Sequence, residues 1–153
     1  MKVLFPASMS RGEVVETMHC QAVDGGFELE NSPFYVYGVS YRDVVEAGVD
    51  TDILTFTRVV RRGGHSTYRL LVTSDKQALA FAKRWPRLEA LGCTYEEGGS
   101  YGRRLYSIDV PPGTAVGAVY ALLEEGETGV AWEFGEAYLS CIHSGLQSSK
   151  QDS

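Results

Sequence analysis

The residues best suited to chemistry in this chain gather around one glycine pair. His65 follows Gly63-Gly64 and is flanked by Ser66, Thr67 and Arg69. Paired glycines let backbone approach a ligand closely, and a histidine can accept or donate a proton near neutral pH. Asp43, upstream in a turn-rich stretch, joins His65 and Arg69 as a candidate at the same junction, or simply braces the turn over residues 38–42. Arg58, Arg61, Arg62 and Arg69 form a basic cluster that, with the glycines, could hold an anion. The cluster lacks the Gly-Lys-Ser/Thr of a phosphate loop and any Gly-x-Gly-x-x-Gly, so a solvated strand end is the plainer reading. No Ser/Cys–His–Asp arrangement is evident from local spacing. His65 then has a structural alternative, bonding backbone where the glycines bend the chain between two units.

Two other places carry chemically useful side chains. Residues 98–102 form a glycine-rich loop with Tyr101 at its tip and Arg103-Arg104 following. Tyrosine and arginine are favoured at protein interfaces, so Tyr101, Arg103 and Arg104 join Arg61, Arg62, His65 and Arg69 as candidate partner-binding residues. The three cysteines, Cys20, Cys93 and Cys141, are widely spaced and read as free thiols. His19-Cys20 and Cys141-x-His143 are zinc-ligand types. Neighbours on a strand point to opposite faces, however, so His19 and Cys20 are poorly placed to share an ion. Neither a metal nor a cofactor is expected.

Composition narrows the classes. The 153 residues are 44% hydrophobic and 22% charged, the balance of a globular protein that forms one large domain or two small ones. A net charge of −6 disfavours unselective binding to nucleic-acid backbone. No apolar run approaches membrane-spanning length, and the opening segment is too short for a signal peptide. A cytoplasmic protein is expected.

The elements that must position these residues divide near the glycine pair. Residues 13–64 read as a β module: strand signals over 14–23, a turn at Asp24-Gly25-Gly26, and alternation over 27–31. A short strand over 44–47, a turn at 48–52 and a longer strand over 53–62 with Leu54, Phe56, Val59 and Val60 inward complete it. Short strands with frequent turns curl into a small barrel-like sheet. Residues 65–135 read as β-α-β-β-α-β, the ferredoxin-like order. Its first helix starts at Ser74 with Gln77 at the capping-box position, is kinked or gives way to a second short turn at Pro86, and stops at Gly92. The second is capped by Thr114 and closed by Gly126, and the last strand spans 130–134. One sheet face carries Tyr106, Ile108 and Val110; the other carries Arg69, Leu71, Ser107, Asp109 and Glu133. Residues 136–153 are a C-terminal segment with a disordered tail.

The first half also carries a resemblance. Glu28-Leu29-Glu30-Asn31-Ser32-Pro33-Phe34, Gly38-Val39-Ser40, Asp43-Val44-Val45 and Gly64-His65-Ser66-Thr67-Tyr68-Arg69 resemble the bacterial family catalogued as domain of unknown function 4265. The resemblance implies a shared fold over roughly residues 13–134 and brings no activity, substrate or cofactor with it. The expectation is therefore an α+β protein that binds a protein partner without catalysis, a toxin-neutralising (immunity) protein being one form. A small enzyme or anionic-ligand sensor around His65 and Arg69 is the second expectation. A structural homo-oligomer is the third.

Overall fold

The computed structural model describes residues 1–9, 12–50, 52–99 and 102–144. Five strands form the first unit: β1 (Lys2–Met9), β2 (Gly12–Val23), β3 (Gly26–Leu29), β4 (Val44–Asp50) and β5 (Ile53–Arg61). Each pairs antiparallel with the next, and β1 meets β5 in parallel through Leu4 opposite Thr55, so the sheet joins its own ends in a ring. Side chains alternate across a strand, which turns Val3 and Phe5 of β1 and Met18 and Cys20 of β2 inward together. Leu29 and Val45 complete this core, and Phe5 stacks on Phe56 at 4.8 Å. Burying each such side chain contributes about 1.5–3 kcal/mol before entropy is counted.

The ring departs from the sequence reading in three places. β1 adds a strand ahead of residue 13: Val3 and Phe5 alternate into the core of the ring, and β2 pairs with its backbone. β4 runs through Gly48 to Asp50 rather than turning there. Val60 is 37% exposed, since β5 is bulged against β4 and its phase does not persist.

The second unit is β6 (Ser66–Val72), α1 (Asp75–Ala90), β7 (Thr94–Gly98), β8 (Arg104–Val110), α2 (Val116–Thr128) and β9 (Glu133–Tyr138). Its four strands lie in the order β7-β8-β6-β9, every pair antiparallel. Both helices cover one face, where Phe81, Leu88, Val116, Val119 and Leu123 pack on Tyr68, Leu70, Val72, Tyr106, Ile108 and Val110. The Ser74 hydroxyl accepts the Gln77 N–H, and the Gln77 amide reaches back to the Thr73 N–H, so the start of α1 is doubly capped. Pro86 does not break α1; it sits on the exposed side, where the carbonyl it leaves unpaired can meet water.

α2 begins without a side-chain cap from Thr114 and runs past Gly126. Gly126 is there for close approach: a Cβ would lie 2.1 Å from the Trp132 ring. The helix instead ends in a Schellman turn, with Val130 N–H bonded to Glu127 O and Ala131 N–H to Gly126 O. Val130 takes the left-handed position at φ 59 and is not part of a strand. β9 therefore starts later than expected and continues to Tyr138, past residue 135. Beyond it Ser140 is buried, as is His143 in a helical turn over 141–144, and the expected disordered tail lies mostly outside the described residues.

Candidate functional site

Residues 30–43, between β3 and β4, lie across the helix-free face of the four-stranded sheet. Val36 and Val39 point away from that sheet into the core of the ring. The loop's backbone polar groups are left to be satisfied, and side chains from both units satisfy them. Glu16, only 8% exposed on β2, accepts three successive N–H groups, from Phe34 at 2.7 Å, Tyr35 at 2.9 Å and Val36 at 3.0 Å. Arg69 donates to the carbonyls of Pro33 and Val36, and the Ser107 hydroxyl donates to Pro33 O at 2.7 Å. Glu96 accepts the Ser32 N–H, and the hydroxyls of Ser40 and Thr67 bond one another. Asp43, fully buried, accepts from Ser40 N–H, Gly63 N–H and the Arg62 guanidinium, and Arg62 also reaches Gly38 O at 2.6 Å.

Burial shapes the ionisation of this junction. Loss of water pulls the Arg69 guanidinium below its usual range, and the neighbouring Glu16 charge opposes that pull. Burial pushes the Glu96 carboxyl up, while the Ser32 N–H holds it back. Among the described residues no buried side-chain nitrogen or oxygen lacks a partner.

The outer side of the loop is a band of tyrosines and arginines. Arg69 lies over Tyr37 at 4.8 Å, Arg62 over Tyr138 at 4.3 Å, and Arg42 beside Tyr41 at 6.0 Å. Tyr37 is 69% exposed and Tyr35 37% exposed. The backbone beneath them is clamped by Glu16 and Arg69, so these rings are displayed on a braced support.

His65 sits at the other end of the loop. Its Nδ1 faces both Asp109 oxygens, at 2.9 and 3.0 Å, and the Tyr41 ring meets it edge-on at 5.2 Å. A carboxylate at Nδ1 orients the ring, and in the neutral imidazole it keeps the proton on Nδ1 with Nε2 as the acceptor. Among the described residues Nε2 has no hydrogen-bond partner, and since no buried side-chain atom there is left unpaired it meets solvent. Among the described residues no serine or cysteine side chain bonds to His65. Ser66 points to the opposite face, where its hydroxyl bonds His143 Nδ1 at 2.6 Å and accepts the Ser140 N–H at 2.8 Å. His143 Nε2 is held by Pro111 O at 3.0 Å, so both residues are wholly buried structural groups.

The structure thus separates the three junction candidates. His65 goes with Asp109 and Tyr41, Arg69 with residues 33–37, and Asp43 with Arg62 and Gly63. Arg61 and Arg103 are exposed, Arg58 pairs with Glu46 at 3.0 Å, and Arg104 approaches Glu97 at 4.0 Å. Tyr101 lies outside the described residues. His19 is exposed where Cys20 is buried, and among the described residues no three metal-ligating side chains converge. Burial pushes the thiols of Cys20 and Cys93 up to about 11 and about 12, so both are inert. An open cleft of about 390 Å³ lies elsewhere, lined by Met1, Lys2, Leu4, Thr17, Asp52, Ile53 and Leu54. Glu16, Glu96 and His143 were not legible as junction residues. Glu16 did leave a trace: it shares the inward phase of Met18 and Cys20, where a carboxylate needs a reason to be.

An α+β protein of two sheets, joined by a polar loop, is the class these features define. The chain belongs to the family described as Domain of unknown function (DUF4265), whose model matches residues 16–134. A crystal structure of a hypothetical protein from Neisseria gonorrhoeae is similar in fold, with a TM-score of 0.73 at 17% identity, covering 91% of this chain and 94% of that one. The comparison with curated proteins finds no match. No helix among the described residues is long and apolar enough to cross a membrane.

Proposed function

We propose that this is a non-catalytic cytoplasmic recognition protein that binds a protein partner through the outer side of the loop over 34–42. The observation that carries this reading is the exposure of Tyr35 and Tyr37 on backbone pinned by Glu16 and Arg69. Tyrosine and arginine supply much of the binding energy in protein interfaces, and a support already ordered lowers the entropy cost of association. On this reading the five-stranded ring is a small barrel that anchors the loop, and the second unit is a ferredoxin-like platform beneath it. RNA-binding sheets of that topology stack bases on the face that residues 30–43 cover here, which disfavours nucleic acid as the partner. The narrower form of the proposal is an immunity protein whose partner is a toxin. Mass spectrometry of partners captured by wild type and by the Tyr35→Ala/Tyr37→Ala variant tests it. A partner held by wild type and lost by the folded variant supports the reading; a partner retained by both removes it.

A second reading rests on His65 Nε2, an open acceptor oriented by Asp109. It makes the Tyr41–His65 end a site for a small ligand or an enzyme's substrate. A thermal-shift screen of nucleotides, sugar phosphates and amino acids separates the two, because a ligand bound only by the folded state raises its melting temperature. Stabilisation lost in His65→Ala favours the ligand site.

A further inference from the structure

We infer that the helix layer, on the opposite side of the sheet from the tyrosine loop, is a self-association surface that takes a second copy of this chain. Three observations converge there. The first is apolar exposure: Leu79 on α1 is 70% exposed, Val130 beyond α2 is 74% exposed, and Tyr120 on α2, which also packs on Tyr68 and Phe134, is 38% exposed. Gln77 Nε2 donates to Val130 O at 3.1 Å, which brings the start of α1 beside the end of α2.

The second is conformational strain. Val130 holds a left-handed φ of 59, a position that glycine ordinarily fills and that is costly for a β-branched side chain. The Schellman hydrogen bonds hold the backbone there while the side chain stays exposed, and outliers of this kind concentrate at functional surfaces.

The third is a divided charge pattern. Lys76, Leu79 and Lys83 follow one ridge of α1 at helical spacing, and neither lysine forms an ion pair among the described residues. α2 ends in Glu124, Glu125 and Glu127 without a basic residue, the wrong sign for a helix C-terminus. Arg84 and Arg87 of α1 answer Glu125, at 3.2 and 3.0 Å, and Glu124 has no such partner among the described residues. A two-fold axis through the layer sets the basic ridge of one copy against the acidic helix end of the other, with the apolar side chains between them. Such an isologous contact closes on itself and yields a dimer.

Sedimentation velocity on the full chain over roughly 1 to 200 µM provides the test. The expected result is a monomer–dimer equilibrium weakened at high salt and weakened at least tenfold by Leu79→Glu. Lys83→Glu and Glu124→Lys should each weaken it, and the double variant should recover part of the loss. Circular dichroism confirms that each variant is folded. A monomer throughout the range, or a dimer indifferent to Leu79→Glu, overturns the inference.

Discussion

The two faces of the four-stranded sheet are buried by opposite means. On one, Tyr68, Leu70, Val72, Ile108 and Val110 meet the apolar sides of two helices. On the other, Arg69 and Ser107 bind the backbone of the loop, Thr67 bonds its Ser40 hydroxyl, and Asp109 holds His65 beside it. Apolar burial is non-directional and scales with area, so the helix face should yield gradually to substitution. The polar face depends on paired donors and acceptors, and removing one partner strands the other away from water. The first face supplies cohesion; the second specifies where the loop lies.

That contrast can be broken by measurement. Glu16→Ala leaves three loop N–H groups without their acceptor and removes the negative charge that favours the buried Arg69 guanidinium, and should cost about 3–5 kcal/mol in denaturant unfolding. A loss below about 1 kcal/mol would show that water replaces the carboxylate and that the polar face is not specifying. Ile108→Val, a methylene lost from the apolar face, should cost about 1 kcal/mol with the cooperativity of unfolding unchanged. Val130→Gly, outside both faces, should stabilise the monomer by somewhat under 1 kcal/mol, read as a raised melting temperature.

The smallest expected effect concerns pH. Glu96 has its carboxyl pKa raised by burial, so the folded state binds a proton that the unfolded state releases. Its contribution is complete below the unfolded value of about 4.3 and is lost as pH rises through the folded value. Glu96→Gln should flatten the stability profile over that window, and an unchanged profile would mean that other carboxylates dominate there.

Local signals were legible and distant ones were not. Ser74 and Gln77 announced α1 because a cap and its partner lie three residues apart. The β-α-β-β-α-β order followed from periodicity, and the inward and outward sets on β8 followed from alternation. Gly126 read as a helix stop because its reason, the Trp132 ring, lies in a segment that returns to the helix only in three dimensions. Alternation also ran β9 through Val130, since a valine in a left-handed turn has no sequence signature. The candidate site was half legible. The sequence marks His65, Arg69 and Asp43, but their partners Asp109, Pro33 and Gly63 stand 44, 36 and 20 positions away.

Among the described residues the ring is shut by one parallel bridge, Leu4 against Thr55. Those residues are roughly fifty positions apart, so the seam can close only after the intervening strands have formed, and the entropy of that closure is repaid by little hydrogen bonding. The seam should therefore be a late event in folding and an early one in unfolding. Amide exchange along the β5-facing edge of β1 should outpace exchange between β1 and β2, reporting an opening that leaves the rest of the sheet intact.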